Sequence, residues 1–173
     1  MTEDRTCVNS GNSPVAIRQF LPSDKHAFVA LNLDWIEEYF SVEESDREQL
    51  QRLEQSILAV DGRILVAELD GIVVGVGAVV PPPHEPGDGR KWLEIVKLAT
   101  RKDLRGRGIG AAVMQALISE SREMQDDAIW LETNDALGPA IRLYERCGFR
   151  HLTSDEFWPT PYERCNVQMV LQL

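Results

Sequence analysis

Cysteine is scarce in this sequence: there are three, Cys7, Cys147 and Cys165, and none stands in a Cys-x-x-Cys or Cys/His spacing. No zinc site is expected from that pattern, and the thiols read as buried or idle. Histidine is equally sparse, and His26, His84 and His151 are too scattered to suggest a ligand set. No apolar run approaches the roughly 20 residues that span a bilayer, so no membrane association is expected. The opening MTEDRTCVNSGNSP carries early acids and no apolar core, unlike a secretory signal, and a cytoplasmic location is the expectation. Basic residues are few as well. Lysine and arginine number 18 against 28 acids, a formal charge of -10. Nucleic-acid binding needs a basic face for the phosphates, so no nucleic acid is expected as partner; an acidic surface attracts small cations and amines.

What is present fits one domain. The chain has 173 residues, 43% of them apolar, enough to bury a core without disulfides or metal. Residues 1–13 and the loop PPPHEPGDGR at 81–90 read as flexible, leaving 14–173 as a single domain. VAIRQF at 15–20 predicts a first strand. Pro22-Ser23-Asp24 then starts a helix that carries Phe28, Leu31, Trp35 and Tyr39 on one face. The capping-box spacing of Ser45 and Glu48, with Leu50, Leu53 and Ile57 following, predicts a second helix over 46–57. ILVAELDGIVVGVGAVV at 64–80 is a hairpin turning at Asp70-Gly71. WLEIVKLAT at 92–100 reads as a strand buried on both faces. Ile109, Ala112, Val113, Ala116 and Leu117 share a helix face, and AIWLET at 128–133 is again a strand, so 92–133 reads as β-loop-α-β. Pro139 and Gly148 frame a short helix whose Ala140, Leu143, Tyr144 and Cys147 lie together. FRHLTS and CNVQMVLQL supply the closing strands.

The loop RKDLRGRGIGA at 101–111 runs against the acidic composition, with Arg101, Lys102, Arg105 and Arg107 facing only Asp103. A helix N-terminus leaves amide protons unpaired, and glycines there let the backbone close on a phosphate. Strand, basic glycine loop and amphipathic helix follow in the order such a cradle requires. Two other readings stand beside it. One is an ordinary surface turn. The other is a dinucleotide site, since Gly106, Gly108 and Ala111 match G-x-G-x-x-A and Glu132 lies near the distance of a ribose-binding acid. The charged loop between strand and glycines weighs against the dinucleotide site.

At Arg105, Gly108 and Gly110 the chain resembles the GNAT superfamily of acyl-CoA-dependent N-acyltransferases, whose signature is Arg or Gln, two residues, Gly, one residue, then Gly or Ala. WLEIVKLAT resembles the family's central strand and AIRLYERCGF its later helix-to-strand segment, so the likeness covers about 15–173. It implies an α/β fold: a mixed, mostly antiparallel central sheet flanked by helices, with a splayed pair of central strands. It also implies acetyl-CoA as acyl-donor cosubstrate. The implied coenzyme A contacts are Leu98, Ala99 and Thr100 at the strand's end, Arg105, Gly106, Arg107, Gly108, Ile109, Gly110 and Ala111 beyond it, and Asn134. Which of Arg101, Lys102 and Arg107 meets the remaining phosphate stays open. Many relatives carry an asparagine where this chain has Leu137, and Asn134 stands as either its replacement or a capping residue.

Acetyl transfer needs a neutral amine, a stabilised oxyanion and a proton for the thiolate. Glu94 sits in an apolar strand, where desolvation raises a carboxyl toward the range of a general base; in relatives a glutamate here often takes the amine proton. The alternative is that it pairs with Lys97, Arg90 or Lys91. Tyr144 stands where the family commonly keeps a tyrosine that protonates the thiolate, the alternative being a core aromatic. Backbone amides near Leu98 and Ala99 are the expected oxyanion donors. Trp35, Glu37, Glu38 and Tyr39 lie where relatives build part of the acceptor pocket, and Tyr162 and Arg164 precede the last strand; Arg164 is a candidate for gripping a substrate carboxylate. The expected partner is a small-molecule amine, with transfer by direct attack in a ternary complex and no metal. A non-catalytic acyl-CoA sensor and a protein or peptide acetyltransferase remain alternatives. Edge strands near the C-terminus are compatible with a homodimer.

Overall fold

Asp70 and Gly71 both take the left-handed backbone, at φ 51° and 77°, the conformation that turns two strands back on each other in two residues. That hairpin is part of the central sheet in this computed structural model, which describes Cys7–Val8 and residues 14–173. The expectation of flexibility over 1–13 therefore lies outside the described residues except at Cys7–Val8. The strands are β1 (Cys7–Val8), β2 (Val15–Gln19), β3 (Arg63–Leu69), β4 (Ile72–Val80), β5 (Trp92–Thr100), β6 (Ala128–Thr133), β7 (Arg150–His151) and β8 (Val167–Gln172). They line up as β1-β2-β3-β4-β5-β6-β8-β7, and every pair is antiparallel except β5 with β6.

Helices cover both faces, and the period-two alternation of β3 shows how. Leu65 and Ala67 point to one face, in one apolar cluster with Ile109, Val113 and Leu117 of α4 (Ile109–Glu123); Tyr144 of α5 (Gly138–Arg146) belongs to the same cluster. Ile64 and Val66 point to the other face, against Phe28 and Leu31 of α1 (Lys25–Tyr39), Leu50 of α2 (Glu44–Gln51) and Leu53 of α3 (Leu53–Ser56). Farther along, Trp92, Trp130 and Trp158 close a third cluster, with Trp130 and Trp158 stacked at 5.0 Å and 6°.

Gly75 and Gly77 let α4 lie hard against β4: a Cβ at Gly75 would come 2.7 Å from Ile109 Cγ2, and one at Gly77 2.9 Å from Leu117 Cδ1. This close approach places the start of α4, and with it the glycine loop, beside the end of β5.

One helix expectation is corrected. The helix expected over 46–57 is two, α2 and α3, because Arg52 leaves the helical region at φ -105° and ψ 37°. The cap also moves: Glu43 and Asp46, not Ser45 and Glu48, form the box, with the Glu43 amide donating to Asp46 Oδ2 at 3.1 Å. Asp46 is also buried against cations from β5 and from the segment before β8.

Candidate active site

β5 and β6 are hydrogen-bonded in register only at Trp92, Leu93 and Glu94, facing Ala128, Ile129 and Trp130. From Ile95 onward the parallel pair splays, and the gap opens between α1 and α5. On its other side β5 carries a bulge. Ala78 pairs with Val96 and Val76 with Ala99, so Lys97 and Leu98 together face Gly77, and Lys97 adopts φ 56°. Two cavities occupy the gap: a cleft of about 700 Å³ and a cavity of about 90 Å³. Trp35, Leu98, Leu137 and Tyr144 belong to the walls of both, so the two meet there.

The cleft is walled by Leu98, Ala99, Thr100, Arg105, Gly106, Gly108, Ile109, Gly110 and Ala111 from the expected coenzyme A set; Arg107 and Asn134 are not among its walls. Gly106 and Gly108 have φ 79° and 81°, and a Cβ built on either meets nothing within 4 Å. Gly108 caps α4, and its carbonyl accepts the first helical bond from the Ala112 amide at 2.9 Å. The amides of Ile109, Gly110 and Ala111 thus precede the first helical donor, at the positive end of the helix. Donor set, open glycines and basic rim fit a pyrophosphate. The rim is partly compensated: Glu38 takes Arg105 at 2.7 Å and Lys102 at 3.3 Å, and Arg101 pairs with Asp103 at 2.7 Å. Arg107 makes no ion pair among the described residues.

The smaller cavity holds the titratable groups. Glu94 is 7% exposed, lines the cavity and makes no side-chain hydrogen bond or ion pair to the described residues. The pairing with Lys97, Arg90 or Lys91 weighed from the sequence is absent among them. Burial, and secondarily the nearby Glu132, push its carboxyl up to about 8 against the pull of Lys97. Glu132, on β6, is pushed up to about 7, chiefly by burial, and its Oε2 is a buried oxygen without a hydrogen-bond partner. Tyr144 is 8% exposed and touches both cavities; burial raises its phenol to about 12. At neutral pH it holds its proton.

Between α2 and β5 lies a buried ion network that the sequence did not reveal. Asp46, with its side chain 0% exposed, accepts the Lys97 ammonium at 3.1 Å and both arms of the Arg164 guanidinium at 2.6 and 2.8 Å. Burial works against its ionisation, but the hydrogen bond and charge of Arg164 and the charge of Lys97 hold the carboxyl below its ordinary value. Tyr162 stacks under Arg164 at 4.6 Å, and its hydroxyl donates to Gln49 Oε1 at 2.8 Å. Arg164 also reaches Glu43 at 3.1 Å.

Trp35, Tyr162 and Arg164 of the expected acceptor residues line the small cavity, whereas Tyr39 is exposed on the rim of the cleft. Arg164 is not free for a carboxylate: its guanidinium is already committed to Asp46 and Glu43. Arg164→Ala is therefore expected to act mainly on stability, by roughly 3 kcal/mol for breaking a buried pair, read as a lowered Tm; an unchanged Tm with a raised KM for a carboxylated amine would restore the substrate role. Asn134 is occupied too, its amide nitrogen donating to the Arg164 carbonyl at 2.5 Å and its oxygen accepting from the Ala136 amide at 2.8 Å. Leu137, at the N-cap of α5, is an apolar wall of both cavities. Glu132, weighed only as a ribose ligand, lies in the small cavity and not at the glycine cleft.

The sequence profile of the Acetyltransferase (GNAT) family matches residues 29–149, well over half of the chain. The chain belongs to the GNAT acetyltransferase family. It is similar to N-acetyltransferase family 8 member 2 of Rattus norvegicus, 34% identical over 101 residues, which are 58% of this chain and 44% of that protein. It is also similar to the uncharacterized N-acetyltransferase YjgM of Escherichia coli (strain K12), 32% identical over 108 residues and 62% of each chain. The chain thus spans about half the length of the curated relatives it matches. In fold it is similar to a GNAT acetyltransferase from Staphylococcus aureus Mu50, with a TM-score of 0.78 and 19% identity over 91% of this chain and 98% of the other. It is likewise similar to yncA of Salmonella typhimurium, solved with its cofactor acetyl-CoA, with a TM-score of 0.72 and 18% identity over 91% and 93%. The GNAT sheet, mostly antiparallel with its splayed parallel pair, is the one described above. No helix among the described residues is long and apolar enough to cross a membrane.

Proposed function

We propose that this GNAT chain moves an acetyl group from acetyl-CoA to a primary amine of a small molecule, by direct attack in a ternary complex. The observation that carries this reading is the meeting of the two cavities at Leu98 and Tyr144, with the buried, unpartnered Glu94 on the side away from the glycine cleft. Acetyl-CoA would lie in the cleft with its pyrophosphate on the amides of 108–111 and its thioester at the junction. Glu94 takes a proton from the incoming ammonium, whose pKa of about 10.4 leaves little neutral amine at neutral pH. The C–N bond forms as the C–S bond breaks, the oxyanion is held by the Leu98 amide, and Tyr144 supplies a proton to the departing thiolate. Direct attack is favoured over an acetyl-enzyme because the thiol lining the small cavity, Cys165, is pushed up to about 12 by burial and stays protonated.

The same charges define the acceptor. Lys97 and Arg164 both spend their charge on Asp46, while Glu94 and Glu132 have no cationic partner within hydrogen-bond reach among the described residues. The cavity therefore favours an ammonium and offers no free cation to a carboxylate beside it. At about 90 Å³ it admits a slender amine terminus and no bulky group. The test is thiol release from acetyl-CoA with 1,4-diaminobutane, ethanolamine, glycine and an alanine-starting tripeptide. Faster release with the first two supports the reading. Release with the tripeptide alone would move the acceptor to peptides, and acetyl-CoA binding without release for any amine would favour a non-catalytic sensor.

A further inference from the structure

Lys97 holds a backbone conformation that a side chain bearing a Cβ avoids. At φ 56° it lies in the left-handed region, where glycine, and to a lesser degree asparagine, is at ease. Such strain persists only where the surroundings over-determine it. Here they do so through the side chain, which is 7% exposed and far from solvent. Its ammonium donates to Asp46 Oδ1 at 3.1 Å and to the Tyr162 hydroxyl at 3.4 Å, and it sits 5.4 Å from the centre of the Tyr162 ring. The anchor is itself fixed, because Asp46 is wholly buried and gripped by Arg164 at 2.6 and 2.8 Å. The residue that follows is Leu98, a wall of both cavities and the expected oxyanion donor.

We propose that Lys97 is a positioning residue: the tie of its buried ammonium to Asp46 and Tyr162 offsets the strain of a Cβ-bearing residue at φ 56°, keeps the β5 bulge in its left-handed form and so fixes the Leu98 amide at the junction of the two cavities. The proposal rests on the acetyltransferase reading and adds to it a device outside the reacting groups. A lysine is otherwise a poor choice for this backbone, and its long side chain compensates by reaching a rigid acceptor on α2.

Glycine at position 97 separates this role from a chemical one, because it keeps the left-handed backbone without the side chain. Asp46 retains Arg164 in such a variant. The measurements are calorimetric affinities for acetyl-CoA and for coenzyme A, whose ratio reads the hydrogen bond to the thioester carbonyl, and thiol release with 1,4-diaminobutane. Lys97→Ala is expected to lower the preference for acetyl-CoA over coenzyme A by roughly 3- to 10-fold, the worth of one such bond, and turnover by about 10-fold or more. Lys97→Gly is expected to restore both to within about threefold of the parent. If Lys97→Ala fails to fold, Lys97→Asn takes its place beside glycine, and both are expected to keep the ratio. A glycine variant as impaired as alanine would assign the lysine to charge or chemistry and overturn the proposal, as would an alanine variant equal to the parent or an asparagine variant that loses the ratio. Failure of the parent chain to bind either ligand would overturn the acetyltransferase reading itself, a result distinct from all of these.

Discussion

Glu94→Gln is expected to reduce turnover by about 100-fold or more, the lower end of what one general base contributes being about that size, with acetyl-CoA affinity little changed. The glutamate lies in the amine-side cavity and not in the glycine cleft, so cofactor contacts survive the change. Its carboxyl, raised to about 8 by burial, must be ionised to accept a proton. The value of kcat/KM for the amine should therefore climb with pH and level off above about 8, and the glutamine variant should lack that limb. A pH profile of identical shape in parent and variant would remove Glu94 from proton transfer. Stability should move the other way. The folded value lies above the unfolded one of about 4.3, so the native state prefers the protonated acid. Its contribution is complete below the unfolded value and is lost as pH rises through about 8. Glutamine does not titrate, and the variant should melt several degrees above the parent at pH 8 but not at pH 4. A less stable variant at pH 8 would mean that the carboxylate is better accommodated than its surroundings imply.

Gly108→Trp is expected to weaken acetyl-CoA and coenzyme A together by at least about 100-fold, or roughly 2.7 kcal/mol. The residue caps α4 at φ 81°, where a side chain is strained, and the space beyond its missing Cβ is the open cleft. An indole there would occupy the volume that phosphates need, above the unpaired amides of the first turn. Calorimetry on the folded variant decides the matter: retained affinity would place the cofactor elsewhere. Gly108→Ala should show a milder loss, since it meets the backbone penalty and adds only a methyl.

Local signals were readable in the sequence and long-range ones were not. WLEIVKLAT and AIWLET coincide residue for residue with β5 and β6, because apolar runs bounded by charge and glycine carry their own limits. The Asp70-Gly71 turn and a helix beginning near Pro139 are legible for the same reason. Asp46 gave no such signal. It sits in a polar helix, and only contacts to Lys97, 51 residues away, and Arg164, 118 away, make it buried. The partners of Arg164 are not legible in the sequence, because a lone arginine looks free until Asp46 and Glu43 are placed beside it. The bulge at Lys97 is tied to the same network, which no window of sequence contains. Lys97 did leave one trace: with Glu94 it is one of two charged residues in a largely apolar strand.

Trp35 has a further consequence. The other three tryptophans pack together in the cluster of Trp92, Trp130 and Trp158, whereas Trp35, beside Tyr39 and Phe40, is the one tryptophan in the wall that both cavities share. Its indole is thus a built-in optical reporter. Filling either chamber alters the polarity around one fluorophore out of four, and a Trp35→Phe chain supplies the silent background against which that change in emission is read.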